Sequence, residues 1–176
     1  MSVSCLYPIR QFPLQRKWPF SIAADHLLQN CTYELNLSLF IRENIDFTYD
    51  RKLATPAIIW ADSERLKQLF TNIFENSRRY THSPGTVHLM LSEVQDSFII
   101  QIQDSAPGVP TEALERLTER LFRVDASRNR NSGGAGLGLN LVSAIVKAHN
   151  GYLKFSESHL GGLCIIITFP KLRQDI

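Results

Sequence analysis

The stretch Asn72-Ile-Phe-Glu-Asn76-Ser-Arg-Arg79-Tyr80 contains two asparagines one helical turn apart, followed by an arginine and an aromatic residue. It lies at the end of a predicted helix that Asp62 or Ser63 can cap. At helical spacing the two asparagines and Arg79 share one stripe, beside the apolar stripe that faces the core. An amide oxygen can bind Mg²⁺ and an arginine can bind phosphate, but a solvated polar face would give the same pattern.

An apolar strand downstream ends in Asp104-Ser-Ala-Pro-Gly108. A carboxylate at a strand end can accept a hydrogen bond from the exocyclic amine of a base, and Pro107 and Gly108 can bend the chain into a floor beneath it. The same residue types are usual in plain strand-to-helix turns. The motif alone therefore leaves a ligand site and an ordinary turn open.

Further along the chain, Gly133-Gly-Ala-Gly-Leu-Gly138 opens a helix. Glycines let backbone N–H groups approach an anion, and a helix N-terminus favours negative charge. The motif is not a Walker A loop, because no GxxxxGK[ST] pattern is present. Nearby arginines favour a triphosphate over a neutral ligand, and a flexible glycine hinge is the alternative. These arginines are Arg120, Arg123, Arg128 and Arg130.

The rest of the chain mixes helical and strand patterns. Most neighbouring strands are joined by short turns, so the predicted class is α+β with a largely antiparallel sheet. Helices are predicted over 20–42, 62–80, 111–121 and 138–149, and strands over 46–49, 57–60, 87–91, 98–102, 152–155 and 164–169.

Composition restricts the class of protein. Of the 176 residues, 44% are hydrophobic and 20% are charged, as in a single soluble domain with a core. A net charge of +2 argues against a general nucleic-acid binder. No apolar run approaches the ~20 residues that span a bilayer, and three widely spaced cysteines favour neither a disulfide framework nor a zinc site.

In this order, the motifs resemble those of the catalytic ATP-binding domain of bacterial sensor histidine kinases. The resemblance covers about 60–170. The segments Asp-Ser-Ala-Pro-Gly and Ser-Arg-Asn-Arg are similar to those of envelope-stress sensor kinases of the BaeS type. The resemblance implies a Bergerat-type fold, a two-layer sandwich in which a mixed, mostly antiparallel sheet of about five strands is covered on one face by about three helices.

The same resemblance implies ATP and Mg²⁺ as cofactors and gives roles to the motifs. Asn76 would be the main Mg²⁺ ligand and Asn72 would lie beside the phosphates. Arg79 would contact phosphate, which completes the implied catalytic set. Tyr80 would pack near the nucleotide, and Asp104 would bind the adenine amino group.

The remaining residues of the implied nucleotide site come from the glycine motifs and the arginine-rich loop. The loop corresponds to the mobile ATP lid of the family, and the glycines that follow correspond to its closing hinge. The residues are Gly108, Arg123, Gly134, Gly136, Leu137 and Gly138.

This sequence departs from the family pattern at three places. Ala106 stands where the family usually has glycine, and Phe122 alone represents a usual pair of phenylalanines. No histidine has the context of a phosphoacceptor. The resemblance therefore implies that the acceptor histidine belongs to a separate dimerisation domain and that a response regulator is an indirect partner, with no contact to nucleic acid or membrane by this chain itself.

The implied organisation follows from the missing acceptor. Residues 1–19 are predicted to be a linker or arm from a missing dimerisation helix, 20–172 the catalytic domain, and 173–176 a tail. The chain is predicted to be cytoplasmic, with its parent protein anchored in the bacterial inner membrane.

Two alternatives stay open. A stand-alone serine kinase of the anti-sigma type would match the chain length, but such kinases usually carry Glu where Asn72 stands. An imidazole has a free lone pair and needs no strong general base, so Asn72 favours histidine as the acceptor. A nucleotide-binding regulatory module without catalysis is also compatible with Ala106 and the single Phe122.

Overall fold

The computed structural model describes residues 21–23, 37–54, 57–105, 107–122 and 136–172. Its strands form a two-stranded and a five-stranded sheet. In chain order the elements are β1 (Ser21–Ala23), α1 (Leu37–Arg42), β2 (Ile45–Lys52), β3 (Ile58–Trp60), α2 (Ser63–Tyr80), β4 (Gly85–Val94), β5 (Ser97–Ser105), a 3₁₀ helix (Thr111–Thr118), α3 (Gly138–Ala148), β6 (Tyr152–Glu157) and β7 (Gly161–Pro170).

The large sheet has the strand order β2-β4-β5-β7-β6. The strands β2 and β4 are parallel, and the other three neighbouring pairs are antiparallel. A parallel pair needs a crossover connection, and α2 lies within the one that joins β2 to β4. The predicted class, α+β with a mixed and mostly antiparallel five-stranded sheet, is confirmed.

The core lies between the sheet and the helices. In β4 and β5 alternate residues are buried, so one face of the sheet is apolar. The apolar stripe of α2 covers this face together with one side of α3. The buried helical residues are Leu66, Leu69, Phe70, Ile73 and Phe74 of α2 and Val142, Ile145 and Val146 of α3. Within the described residues, no helix combines the length and apolar character needed to cross a membrane.

The ends of α2 and α3 meet at His149. The Asp62 carboxylate caps α2 by accepting hydrogen bonds from the backbone N–H groups of Glu64 and Arg65 at 3.0 and 3.1 Å. The backbone N–H of Asp62 donates to Nε2 of His149 at 3.1 Å, and Nδ1 of His149 donates to the Ile145 carbonyl at 2.8 Å. Burial lowers the pKa of His149, so the neutral ring joins the two helices.

The predicted helix over 20–42 is wrong at its start. Ser21–Ala23 is a strand that pairs antiparallel with β3, with Ile22 opposite the buried Ile59. Pairing with β3 satisfies backbone groups that an isolated periodic segment would satisfy as a helix, so the tertiary contact overrides the local pattern. The described part of the helix is Leu37–Arg42, and residues 24–36 lie outside the described residues.

The other differences concern lengths and helix type. The helical segment predicted over 111–121 is a 3₁₀ helix, Thr111–Thr118. The strand predicted over 46–49 extends to Ile45–Lys52, because it pairs along its whole length with β4. The helix predicted over 62–80 is confirmed as α2, with Asp62 as its cap.

We expect the substitution His149→Ala to lower the free energy of unfolding by about 2 kcal/mol or more, because it leaves the Asp62 N–H without its acceptor and removes a buried ring. It should also reduce the loss of stability at acid pH. A histidine whose pKa is lowered in the folded state costs stability as the pH falls below its unfolded value of 6.5. Urea unfolding of both proteins at pH values above and below 6.5 measures the loss of stability and its dependence on pH.

His88→Ala is the matched control for this substitution. The His88 ring lies at a partly exposed position, with Nε2 3.3 Å from the Asp50 carboxylate, and its loss should cost under about 1 kcal/mol. Equal losses of stability in the two variants would contradict the structural role of His149.

Candidate nucleotide-binding site

The two asparagines of α2 meet the first residue of α3. A methyl group added at Gly138 would lie 3.3 Å from Oδ1 of Asn72 and 3.5 Å from Nδ2 of Asn76. The Asn72 amide is oriented by its own helix, because Nδ2 donates to the Gln68 carbonyl at 2.7 Å. This bond leaves Oδ1 of Asn72 directed towards Gly138. The predicted asparagine pair and Gly138, the last residue of the predicted glycine motif, are therefore brought together.

The N-terminus of α3 is suited to an anion. Its first backbone N–H groups have no partner within the helix, and among the described residues the Leu137 N-cap makes no side-chain hydrogen bond to them. Gly136 precedes the cap with φ of +65°, a conformation that glycine adopts without strain. The helix dipole adds a partial positive charge at the same point.

Asp104 lies on the apolar face of the sheet and is only 7% exposed. Burial raises the pKa of its carboxyl to about 6, and two polar neighbours oppose that shift. The backbone N–H of Leu163 donates to Oδ1 at 2.7 Å. The Ser77 hydroxyl approaches the carboxyl without completing a hydrogen bond of normal geometry. The Asp104 carboxyl is thus a hydrogen-bond acceptor that the Leu163 N–H holds in place in a largely apolar environment.

Gly162 makes this placement of Asp104 possible. A methyl group at Gly162 would lie 2.3 Å from Oδ1 of Asp104 and 2.4 Å from its carbonyl oxygen. These distances are shorter than any side chain tolerates. The glycine before the last strand therefore allows β7 to approach the carboxyl of β5 closely enough for the Leu163 hydrogen bond.

The other predicted site residues are less closely tied to this geometry. Arg79 and Tyr80 are exposed at the end of α2, and no hydrogen bond or ion pair among the described residues joins them to the asparagines. Gly108 lines an open cavity of about 320 Å³ together with Gly162. Arg123 and Gly134 lie outside the described residues, so their roles stay predictions.

Sequence reasoning missed Ser77, although the sequence contains a signal for it. Ser77 is 1% exposed and occupies a position of the apolar stripe of α2, four residues after Ile73. A hydroxyl at a buried stripe position indicates a polar group on the opposing element, and here the Asp104 carboxyl lies nearby. The hydrogen bond from Leu163 to Asp104 could not be predicted in this way, because its donor is a backbone N–H, which does not depend on the type of residue.

Known families provide an independent comparison. Residues 61–173 match the family described as histidine kinase-, DNA gyrase B-, and HSP90-like ATPase. The chain belongs to this family. The resemblance inferred from the order of the motifs is confirmed, and ATP is the nucleotide that the family implies.

Among curated relatives, the signal transduction histidine-protein kinase BaeS of Escherichia coli strain K12 is 42% identical over 118 residues. The alignment covers 67% of this chain and 25% of BaeS. The chain therefore spans about a quarter of the length of this relative.

Solved structures support the fold. The catalytic domain of histidine kinase ThkA matches with a TM-score of 0.75 and 22% identity, covering 86% of this chain and 95% of that domain. A structure of ThkA in complex with the response regulator protein TrrA matches with a TM-score of 0.72 and 20% identity, covering 89% of this chain and 43% of that one. The predicted two-layer fold is confirmed.

We expect the substitution Asp104→Asn to change how stability depends on pH. Because the pKa of Asp104 is raised from 3.8 to about 6 in the folded state, the wild-type protein loses stability as the pH rises through this interval. An asparagine at this position cannot ionise and can still accept the Leu163 hydrogen bond. The variant should therefore gain on the order of 2 to 3 kcal/mol relative to the wild type between about pH 4 and about pH 8.

Urea unfolding over that pH interval measures the difference, and the contribution of His149 cancels because both proteins contain it. Asp46→Asn, which changes an exposed carboxylate of β2, should follow the wild-type curve. Parallel curves for wild type and Asp104→Asn would show that burial does not destabilise the Asp104 carboxylate.

Proposed function

We propose that this chain is the ATP-binding catalytic domain of a sensor histidine kinase and transfers the γ-phosphate of ATP to a histidine on a separate dimerisation domain. The observation that carries the proposal is that the side chains of Asn72 and Asn76 lie next to Gly138, at the N-terminus of α3. Polar amides and an anion-binding helix end face one another there, and a buried carboxyl acceptor lies beside the same helix α2.

The adenine is assigned to Asp104. One oxygen of its carboxyl is held by the Leu163 N–H, which fixes the direction of the other for an exocyclic amine. The nearby Ser77 hydroxyl can complete its hydrogen bonding with a ring nitrogen or a water. Ser77 follows Asn76 directly in α2, so this helix joins the adenine subsite to the phosphate subsite.

The phosphates are assigned to the first turn of α3, where free N–H groups and the helix dipole favour negative charge. Mg²⁺ fits the neighbouring amides, because it prefers oxygen ligands and uses few protein groups in addition to phosphate and water. Asn76 is the proposed ligand, and the Oδ1 of Asn72 faces the same space. Bound Mg²⁺ would neutralise phosphate charge there.

The proposed acceptor is an imidazole, because position 72 holds an asparagine and not a carboxylate that could act as a general base. Positioning and charge neutralisation supply most of the catalysis in phosphoryl transfer. A histidine nitrogen attacks through a free lone pair, so an asparagine suffices. Arg79 and Tyr80, exposed beside the asparagines, are proposed to contact the phosphate and the nucleotide, and Arg123 and Gly134 are proposed to complete the site.

The wider organisation is part of the proposal. Residues 20–172 would form the catalytic domain, which the pairing of β1 with β3 supports, with a linker before it and a short tail after it. The direct partner is the dimerisation domain of the parent kinase, and a response regulator is the indirect one. The proposed location is the cytoplasmic side of a parent protein anchored in the inner membrane.

Transfer to histidine can be tested with the chain, labelled ATP, Mg²⁺ and a purified dimerisation domain of the BaeS relative. We expect label that is lost in acid and retained in base, as phosphohistidine requires. The substitution Asn76→Ala should lower the transfer rate by about 100-fold, since charge neutralisation by a metal is worth several kcal/mol. Calorimetry should show the same variant losing the Mg²⁺-dependent part of ATP binding.

The control replaces the acceptor histidine of the dimerisation domain by glutamine, which should abolish labelling. Acid-stable label on a serine would instead support the serine-kinase alternative. ATP binding without transfer to any acceptor would support a regulatory module. Binding that is indifferent to both Mg²⁺ and Asn76→Ala would contradict the assigned phosphate subsite.

The substitution Gly138→Ala tests the same subsite by steric means. The added methyl group would lie 3.3 Å from Oδ1 of Asn72, closer than side chains usually pack, and the Asn72 amide would have to shift away from it. We expect ATP affinity to fall by about tenfold while the melting temperature stays the same or rises, because alanine favours a helix over glycine. Lys147→Ala, in the exposed last turn of α3, should change neither, and an unchanged affinity in Gly138→Ala would contradict the assignment.

A further inference from the structure

Two hydrogen bonds join the segment around the start of α3, 136–140, to the segment around the end of the 3₁₀ helix, 118–121. Nδ2 of Asn140 donates to the Thr118 carbonyl at 2.8 Å, and the Leu121 N–H donates to the Gly136 carbonyl at 3.2 Å. Leu121 and Gly136 both have left-handed backbone conformations, with φ of +64° and +65°. We call these four residues the clasp, since they bring together two segments that are separated by more than ten residues of chain.

A cation–π contact lies next to the clasp. The ring of Phe122, the residue after Leu121, packs against the guanidinium of Arg116, 4.3 Å from the ring centre. Arg116 is itself held by Glu119 through hydrogen bonds of 3.2 and 3.3 Å. A single cation–π contact at an exposed site is weak, so the hydrogen bonds of the clasp carry much of the positioning.

Asn140 is placed to transmit this positioning to the phosphate subsite. It lies in the first turn of α3, two residues after Gly138, which faces Asn72 and Asn76. The 3₁₀ helix that it holds follows the Asp104–Gly108 segment in the chain. A helix turn moves as a unit, so the bond from Asn140 to Thr118 sets the position of the anion-binding turn relative to the segment that follows the adenine acceptor.

We propose that Asn140 is a positioning residue for the phosphate subsite: its side-chain amide holds the first turn of α3 where the phosphates of an adenine-anchored nucleotide meet the free N–H groups. The proposal rests on the proposed ATP site. Asn140 does not touch the nucleotide in this role, because its amide donates to Thr118.

The test compares two ligands by calorimetry with wild type and Asn140→Ala. ATP with Mg²⁺ uses both subsites, whereas adenosine uses only the adenine subsite. We expect ATP affinity to fall by about five- to tenfold in the variant, as the loss of one hydrogen bond predicts, and adenosine affinity to change by less than about twofold. Retained adenosine binding also shows that the variant is folded. Asn140→Gln, which keeps the amide donor, should recover part of the ATP affinity.

Thr111→Val is the matched control. It removes the 2.8 Å hydrogen bond from Oγ1 of Thr111 to Glu157 at the opposite end of the same 3₁₀ helix, and the ratio of ATP to adenosine affinity should not change. An unchanged ratio in Asn140→Ala, equal weakening of both ligands, or the same change in Thr111→Val would overturn the role of Asn140 and leave the proposed function intact. A wild-type protein that binds no ATP would overturn both.

Discussion

The contact of α2 with both the sheet and α3 is the constraint on which the rest of the structure depends. One stripe of this helix is apolar and covers the sheet. The neighbouring stripe places the side-chain amides of Asn72 and Asn76 beside the first residue of α3. Gly138 favours the second contact, because a methyl group there would lie 3.3 Å from Oδ1 of Asn72, closer than side chains usually pack. The packing that stabilises the domain thus also fixes the distance between the two asparagines and the N-terminus of α3.

The proposed adenine subsite lowers the stability of the fold at two particular groups. The Asp104 carboxyl is buried on the core face at the cost of a raised pKa, and the Ser77 hydroxyl beside it lacks a complete set of partners. Buried polar groups of this kind destabilise a fold unless a ligand satisfies them. His149 shows the contrasting case, since both of its ring nitrogens are satisfied within the protein and join α2 to α3.

The sequence predicted those elements whose formation depends on neighbouring residues in the chain. Helix α2, its Asp62 cap and the hairpin of β4 and β5 follow from periodicity and capping, and the motif order identified the family. The strand at Ser21–Ala23 could not be predicted, because its pairing with β3 is a contact between distant parts of the chain. The Leu163 hydrogen bond to Asp104 and the clasp bond of Asn140 were equally inaccessible, since both involve backbone groups, which every residue has.

The contacts around the start of α3 differ in how strictly they fix its orientation. An aromatic pair holds a segment by burying area and tolerates small rotations, whereas a hydrogen bond weakens steeply when its angle changes. In this chain Phe122 packs on an exposed arginine, and the Asn140 amide and the Leu121 N–H supply directional contacts in addition. A helix end held by directional bonds is fixed in orientation as well as in distance, and orientation is what an N-terminus requires to aim its N–H groups at a phosphate. Polar contacts at this place can therefore maintain the geometry of the site with less apolar burial.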